Sequence, residues 1–455
     1  MIGSAARLAE QAQARLLGSG ELLIDRVVTD SRQAGPGALF VALAGERFDG
    51  HDFLEQVWAA GCRAALVGRE VARPADAALL LADDPLAAFG RIGAAWRAGF
   101  PELLMTAITG SLGKTSTKEL TWQVLSQRGP TLRNQNSFNN EIGVPTTLLG
   151  LTAEHWAAVQ EMGMRGLGQI EYLAGLVRPS IGVITNIGHS HLGILGSRQA
   201  IARAKGELLE ALGADGIAVL NADDAHLPGV AKRHSGRTVW YGAAPSAEVR
   251  AEAVVVNGLS GTRFDLVLPA ERISIEAPII GAHMVSNALA AAAVGYAAGL
   301  SAEQIAAGLA LVPDLKLRGE LVRLACGARL INDAYNAAPE SVRAALAVLA
   351  AEPTDGRRIA VLGGIAELGE TTTVEHLRLG RDAADLVDVL VGVGPEGAEI
   401  VAGGDQGRAR GVVVDDVAAA GAWLAANLRA GDLALLKASR AYGLERALDG
   451  LEVAR

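Results

Sequence analysis

The segment TAITGSLGKTSTKEL, residues 106–120, holds the residue types that phosphate chemistry needs, in the order it needs them. An apolar run ends at Gly110, and Ser111, Leu112, Gly113, Lys114, Thr115 and Ser116 then lead into a helical pattern. Glycines let the backbone curl so that successive N–H groups converge on phosphate oxygens, and the following helix adds the positive end of its dipole. Lys114 can reach the outer phosphates and Thr115 can ligate Mg²⁺. The loop is two residues shorter than the usual G-x-x-x-x-G-K-[ST], because Ile108 stands where that pattern begins. A glycine-rich turn with a chance lysine is the plainer alternative. Strand, two glycines, lysine and paired hydroxyls together favour phosphate binding.

Phosphoryl transfer moves negative charge and calls for cations beside the loop. Glu161 closes the apolar run AAVQEM (157–162), His191 follows IGVITNI (181–187) within TNIGHSHLG, and Lys205 lies in ARAKGELL, at the start of the next helix. Residues at the carboxyl ends of parallel strands converge on one edge of a sheet. Taken singly these would be a solvated glutamate, an incidental His-x-His and a surface lysine. A second glycine pattern, Gly392-x-Gly394-x-x-Gly397, follows a strand, with Asp415 at a later strand end, and has the form of a dinucleotide fingerprint. Pro395 lacks an N–H for a pyrophosphate and Glu396 sets a negative charge beside it, so these glycines are read as turn residues.

The elements that must position these residues are those of an α/β protein. Its 455 residues exceed what one hydrophobic core serves comfortably. Three units are expected: 1–83, 84–312 and 313–455, the last a Rossmann-like α/β unit. LFVAL (39–43), AALV (64–67) and ALLLA (78–82) read as strands, after which Asp84 and Pro85 mark a helix start. Strands at 103–109, 157–162, 181–187 and 216–221 alternate with helical patterns, the signature of a parallel sheet wrapped by helices. A β-rich stretch then runs to about residue 280, and a helix from about 284 closes the unit. Beyond Pro313, RLIND, RIAVLG, VLVGV, GVVVD and LALLK again alternate with helices.

A net charge of −9 implies no general attraction to nucleic acid, so an anionic substrate must meet local positive charge or metal. Cys62 and Cys326 lack metal or disulfide spacing and fit a reducing cytosol. MIGSAARLAEQAQARL reads as a helix interrupted by charges and not as the apolar stretch of a signal peptide, and NALAAAAVGYAAGL (287–300) is short of the roughly 20 residues a membrane span needs. A soluble, cytoplasmic monomer without membrane insertion is expected.

The short loop G-x-x-G-K-[ST], followed in order by Glu161, His191 and Lys205, resembles the Mur ligase family, whose members activate a carboxylate with ATP as an acyl phosphate for attack by an amine. The resemblance extends over nearly the whole chain. It implies a small N-terminal UDP-binding domain, a central ATPase domain with a β-rich extension and a C-terminal Rossmann-like domain, with the active site formed between domains. It implies two Mg²⁺ ions, Thr115 and Glu161 serving one and His191 the other, and a Lys205 that can carry a carbamate and join the metal site. Asn287 in GAHMVSNALAA matches the adenine contact, against a plain reading in which Ser286 and Asn287 cap a helix. Arg318 matches an arginine reaching the ATP phosphates, preceded here by Leu317 where glycine is commoner. Asp333 matches an aspartate near the ribose. Lys437, Ser439 and Arg440 would add positive charge to the cleft.

Within the family, NDAYNAAPESV (332–342), with Tyr335 and Asn336, resembles the D-x-Y-N-A-N-P segment of the member that adds D-alanyl-D-alanine to UDP-N-acetylmuramoyl-tripeptide. The 27–53 segment resembles its UDP-sugar domain, with Ser31, Arg32, Phe48, Asp49, Gly50 and His51 as candidate contacts. Asn139 and Asn140 match residues aimed at the substrate or γ-phosphate, and IAELG (365–369) and His376 also fit. Ala338, Gly364 and Ala438 depart from the pattern, where asparagine, aspartate and glycine are usual. Three readings compete: the ligase, with a sibling that adds a single amino acid as its variant; a P-loop kinase or GTPase, which needs a guanine-reading N-K-x-D that is absent; and a nucleotide-binding relative without turnover.

Overall fold

The computed structural model describes residues 2–45, 48–135 and 137–454; Glu46 and Arg47, inside the 27–53 segment, lie outside them. The central sheet has six parallel strands in the order Arg237–Tyr241, Ile217–Asn221, Ile181–Ile184, Leu104–Thr109, Ala157–Glu161, Thr131–Arg133. Its inner strands are continuous apolar runs because helices cover both faces, and Ile181–Ile184 is buried at every residue. Leu104–Thr109, which feeds the glycine loop, lies between Ala157–Glu161 and Ile181–Ile184. The tips bearing Glu161 and the approach to His191 therefore flank the loop on its two sides.

An N-terminal sheet orders Arg15–Leu17, Ala78–Leu81, Ala64–Val67, Ala38–Val41, Arg26–Val28, with only the first antiparallel. The C-terminal sheet runs Glu320–Arg323, Arg329–Asn332, Leu433–Lys437, Arg358–Gly363, Val389–Val393, Arg410–Val414, again with only the first antiparallel. An antiparallel ribbon, Arg250–Val256, Thr262–Val267 and Arg272–Ala277, forms the β-rich extension. Strands that the periodicity does not reveal include Arg15–Leu17, Arg26–Val28, Thr131–Arg133 and Glu320–Arg323, and the short pair Gly3–Ser4 and Leu23–Ile24, which forms a sheet of its own. The first four are sheet edges carrying an arginine, and an edge strand has no second neighbour to demand an apolar pattern.

The helix of the glycine loop, Lys114–Ser126, is held by close packing. Helices Ala282–Ala297 and Ala302–Leu309 lie against it, and a Cβ on Gly308 would come within 2.5 Å of Val124 Cα. The alanine-rich run 287–300 is thus a buried packing helix. It begins at Ala282, two residues before the expected start. Asp84 accepts hydrogen bonds from the amides of Leu86 and Ala87 (2.9 and 3.0 Å) and starts helix Pro85–Ala98, as its sequence predicts. That helix packs on Ala5–Ala12 of the N-terminal unit and on Gly143–Leu148 of the central one, with Gly93 seated against Pro145. Among the described residues no helix is long and apolar enough to cross a membrane.

A second tie joins the ribbon to the C-terminal unit. Leu259 packs with that unit's core, its amide donating to Glu352 Oε2 at 2.7 Å, while Arg329 Nη1 donates to Glu352 Oε1 at 2.5 Å. Glu352 is only 7% exposed, so its removal leaves the partly buried Leu259 amide and a guanidinium N–H without this acceptor. Glu352→Ala is expected to lower unfolding free energy by about 1–3 kcal/mol in a denaturant titration.

Candidate active site

The loop between Thr109 and Lys114 is shaped by two glycines with positive φ, Gly110 (+150°) and Gly113 (+78°). A Cβ on Gly110 would collide with Thr185 Oγ1, and one on Gly113 with the Asn287 side chain, so no larger residue fits at either position. Asn186 clamps the loop: Leu112 N donates to its Oδ1 (2.9 Å), its Nδ2 donates to Leu112 O (3.1 Å), and Ser111 N donates to its backbone O (3.0 Å). Thr185 Oγ1 adds a 2.6 Å bond to Leu112 O. Among the described residues the amides of Gly113, Lys114, Thr115 and Ser116 have no acceptor in the chain, which leaves a helix N-terminus open to an anion. Lys114 Nζ folds back onto Gly110 O at 2.8 Å. Burial pushes its pKa below the ordinary ammonium value, opposed by Glu161 and reinforced by Arg318.

Glu161, 2% exposed at the strand's last residue, accepts from Thr115 Oγ1 (2.8 Å) on one oxygen and from Asn139 Nδ2 (2.7 Å) on the other. Asn134 Oδ1 fixes its backbone by accepting Glu161 N at 2.8 Å. A buried carboxylate beside a hydroxyl is an oxygen donor set suited to Mg²⁺, which takes few protein ligands and fills its shell with water and phosphate. Lys205 is the eighth residue of helix Arg198–Glu210, so it lies mid-helix and not at the start, because Ser197 caps the helix a full two turns earlier. It is 1% exposed, and burial followed by the field of Lys114 pushes its pKa well below the ordinary ammonium value. His191 Nδ1 lies 2.6 Å from Glu367 Oε2. Burial lowers the pKa of this imidazole; Glu367 opposes that, and Lys205 and Lys114 reinforce it. Among the described residues no group of three or more His, Cys, Asp and Glu side chains could hold a metal. A cation near His191 therefore fits only if Lys205 is uncharged or anionic, since an ammonium there would repel it.

The sides of the cleft come from two units. Its volume is about 1380 Å³, and its lining includes Ser111–Ser116, Asn139, Asn140, Glu161, His191, Lys205, Asn287, Arg318, Asp333, Tyr335, Asn336, Lys437, Ser439 and Arg440. Asn287 is a buried mid-helix residue that accepts from Thr117 Oγ1 at 3.3 Å; the helix is started by Gly281, so the capping alternative falls. Arg318 lies 4.0 Å over the Tyr335 ring and Arg440 5.5 Å from it. Leu317 has φ +60°, which explains why glycine is commoner there and costs the leucine on the order of 1–3 kcal/mol.

Several candidates bind protein groups first. Lys437, 3% exposed, donates to Asp333 Oδ2 at 2.6 Å, so its charge is neutralised within the C-terminal unit and does not add free positive charge to the cleft. Ser439 Oγ accepts Ala366 N at 2.8 Å, Arg440 Nη1 donates to Glu445 at 2.5 Å, and Asn140 Oδ1 accepts Gly143 N at 2.9 Å. His376, fully buried, accepts Ile365 N at 3.0 Å.

The N-terminal candidates do not line this cleft. They gather at the carboxyl edge of the N-terminal parallel strands, past Val28 and Val41. There Asp49 accepts His51 N (2.9 Å) and Arg69 Nη1 (2.9 Å), its pKa held far below the carboxylate range by the bonds from His51. His51 Nε2 accepts Gly68 N at 3.0 Å, and a Cβ on Gly50 would meet Leu43 N at 2.7 Å. These three shape the turn, leaving Ser31, Arg32 and the 70%-exposed Phe48 as surface groups, Arg32 paired to Asp30.

At the second glycine pattern Gly392 and Gly397 bring strand and helix into backbone contact, and Tyr442 covers Gly394 while donating to Glu396 at 2.5 Å. The same pair explains Gly364, since a Cβ there would meet Tyr442 Oη at 2.7 Å and Glu396 Cβ at 2.8 Å. Residues missed from sequence are Asn134, Thr185, Asn186 and Glu367. Asn186 is in the TNIGHSHLG segment that drew attention to His191, and Glu367 in IAELG, so position beside a named residue was the available signal.

Family profiles match most of the chain: "Mur ligase family, catalytic domain" over residues 23–95, "Mur ligase middle domain" over 108–295, and "Mur ligase, glutamate ligase domain" over 317–440. The UDP-N-acetylmuramoyl-tripeptide–D-alanyl-D-alanine ligase of Mycobacterium tuberculosis is 40% identical, covering 93% of this chain and 91% of its own. That of Escherichia coli is 39% identical, covering 84% and 83%. The crystal structure of MurF from Acinetobacter baumannii superposes with a TM-score of 0.89 at 34% identity, covering 98% of each chain. MurF from Thermotoga maritima in complex with ADP gives 0.82 at 25% identity, covering 95% and 98%.

Lys114→Ala should abolish binding of a non-hydrolysable ATP analogue in calorimetry while leaving the melting temperature nearly unchanged, because Lys114 Nζ bonds only loop carbonyls. Adding NAD should produce no thermal shift, since Tyr442 occupies the face a pyrophosphate would need.

Proposed function

The chain belongs to the Mur ligase family, and from that premise we propose that it is an ATP-dependent, ADP-forming ligase joining D-alanyl-D-alanine to UDP-N-acetylmuramoyl-tripeptide through an acyl phosphate, in peptidoglycan synthesis. The observation that carries this reading is one cleft with an open phosphate-binding helix end and the buried Thr115–Glu161 pair on one side, and Arg318, Tyr335 and Asn336 on the other. A nucleotide and an acceptor carboxylate can meet there, and an acyl phosphate formed between them requires that water then be kept out.

Lys114 and the amides of residues 113–116 orient the triphosphate, and Arg318 adds positive charge from the opposite wall. Asn287 borders the nucleoside side of the loop, and Asp333, fixed by Lys437, borders the ribose. Tyr335, Asn336 and Arg440 face the incoming dipeptide; Ser31, Arg32 and Phe48 are assigned to the UDP-sugar. Mg²⁺ held by Thr115 and Glu161 supplies charge neutralisation on the phosphate oxygens when bound. A second ion at His191 is part of the same proposal, with Lys205 as a carbamate: a buried amine kept neutral would form an N–C bond to CO₂ and give up one N–H proton to solvent, leaving an anion where an ammonium would repel a cation. Substrates are small molecules, and neither nucleic acid nor membrane insertion is involved. A monomer is part of the proposal, and the unpaired Cys62 and Cys326 suit a cytoplasmic location. Units 1–83, 84–312 and 313–455 remain the proposed division, with helix Pro85–Ala98 at the first seam.

Phosphate release should require UDP-tripeptide and D-alanyl-D-alanine together. Turnover with a free amino acid in place of the dipeptide would move the assignment to a sibling ligase. Activity should fall when bicarbonate is stripped; full activity without it, together with an unmodified Lys205 amine in a sharp density map, would defeat the carbamate.

A further inference from the structure

Resting on the ligase reading, we propose that Glu367, a residue of the C-terminal unit, is the positioning residue that aims His191 of the central unit at the second cation, so that this site is complete only while the two units are closed together. Glu367 Oε2 lies 2.6 Å from His191 Nδ1. An ionised carboxylate only accepts hydrogen bonds, so Nδ1 carries the hydrogen, and in the neutral ring Nε2 then keeps the lone pair a metal needs. Metal-ligating histidines characteristically donate their other ring N–H in this way. The same ring lines the cleft together with Lys205, Lys114 and the glycine loop, which places it at the phosphate end.

The contact is built from both sides. Glu367 (φ +64°) and His191 (φ +66°) are both non-glycine residues in the left-handed region, a conformation that persists only where surroundings enforce it. Around Glu367 the backbone is pinned by side chains from elsewhere. His376, itself within 2.9 Å of Glu399, accepts Ile365 N, and Ser439 accepts Ala366 N. Glu367 O accepts Gly193 N at 3.2 Å, and a Cβ on Gly193 would lie 2.9 Å from Gly369 N, so the two loops meet backbone to backbone. His189 and Glu340 make a separate contact between the same units, so closure does not depend on Glu367 alone and its removal tests orientation.

The test compares the parent protein with Glu367→Ala and Glu367→Gln. Mn²⁺ binding is followed by electron paramagnetic resonance, with a non-hydrolysable ATP analogue and UDP-tripeptide present, and closure by small-angle scattering on the same samples. The parent should bind two Mn²⁺. Glu367→Ala should lose about 10–100-fold in affinity for one of them and retain the other, the size of effect usual for such outer partners. Glu367→Gln should recover most of the loss, because its amide oxygen can still accept from Nδ1. All three should close alike. Unchanged affinity for both ions in Glu367→Ala, or a Glu367→Ala protein that fails to close, would overturn the assignment to Glu367 while the ligase reading stands. A parent that binds a single Mn²⁺ removes the second site and this inference with it, and dipeptide-dependent phosphate release then still tests the ligase reading by itself.

Discussion

The hydrogen bond from Thr115 to Glu161 is the contact on which the rest of the site depends. It fixes the first turn of the loop helix to the tip of the neighbouring strand, and so sets where four unpaired amides point. A carboxylate buried to 2% exposure would be costly alone; here two side-chain donors, from Thr115 and Asn139, satisfy it. Asn134 and Asn186 hold the strand tip and the loop from either side, which makes the arrangement rigid before any ligand arrives.

Rigidity inside the central unit contrasts with how that unit meets its C-terminal neighbour. Across the cleft the contacts are ionic or backbone-to-backbone: His189 with Glu340, His191 with Glu367, Gly193 with Glu367. Partly exposed ion pairs contribute little free energy each, so they can form and release in a catalytic cycle. The Leu259–Glu352 tie is of another kind, a partly buried apolar side chain packed against a core beside a buried carboxylate.

Departures from the family pattern are absorbed locally. The Glu396 side chain reaches the space an aspartate at 364 would fill, and Tyr442 covers it. Ala338 provides no side-chain cap for helix Pro339–Ala351, where Ser341 Oγ accepts Ala338 N at 3.0 Å. Leu317 adopts the left-handed backbone without the glycine that would make it cheap.

Sequence alone determined the parallel α/β layering and the phosphate loop, because both are written in local order: apolar runs of strand length, then glycines, a lysine and a hydroxyl at fixed spacing. It also placed Glu161 at a strand tip and His191 in the segment that follows another, since the carboxyl ends of parallel strands share an edge; that strand ends at Ile184, three residues before the expected end, and His191 precedes the short helix Leu192–Leu195. Edge strands such as Thr131–Arg133 stayed hidden, being half-exposed and polar. Only the tertiary structure decided which polar residues face a ligand and which face each other. Lys437 spends its charge on Asp333, His51 bonds Gly68, and Asn287 lies against the loop instead of capping a helix. Pairings between residues 46, 104 or 176 positions apart, as for Thr115 with Glu161, Lys437 with Asp333 and His191 with Glu367, have no local signature, because chain closure and not composition brings them together.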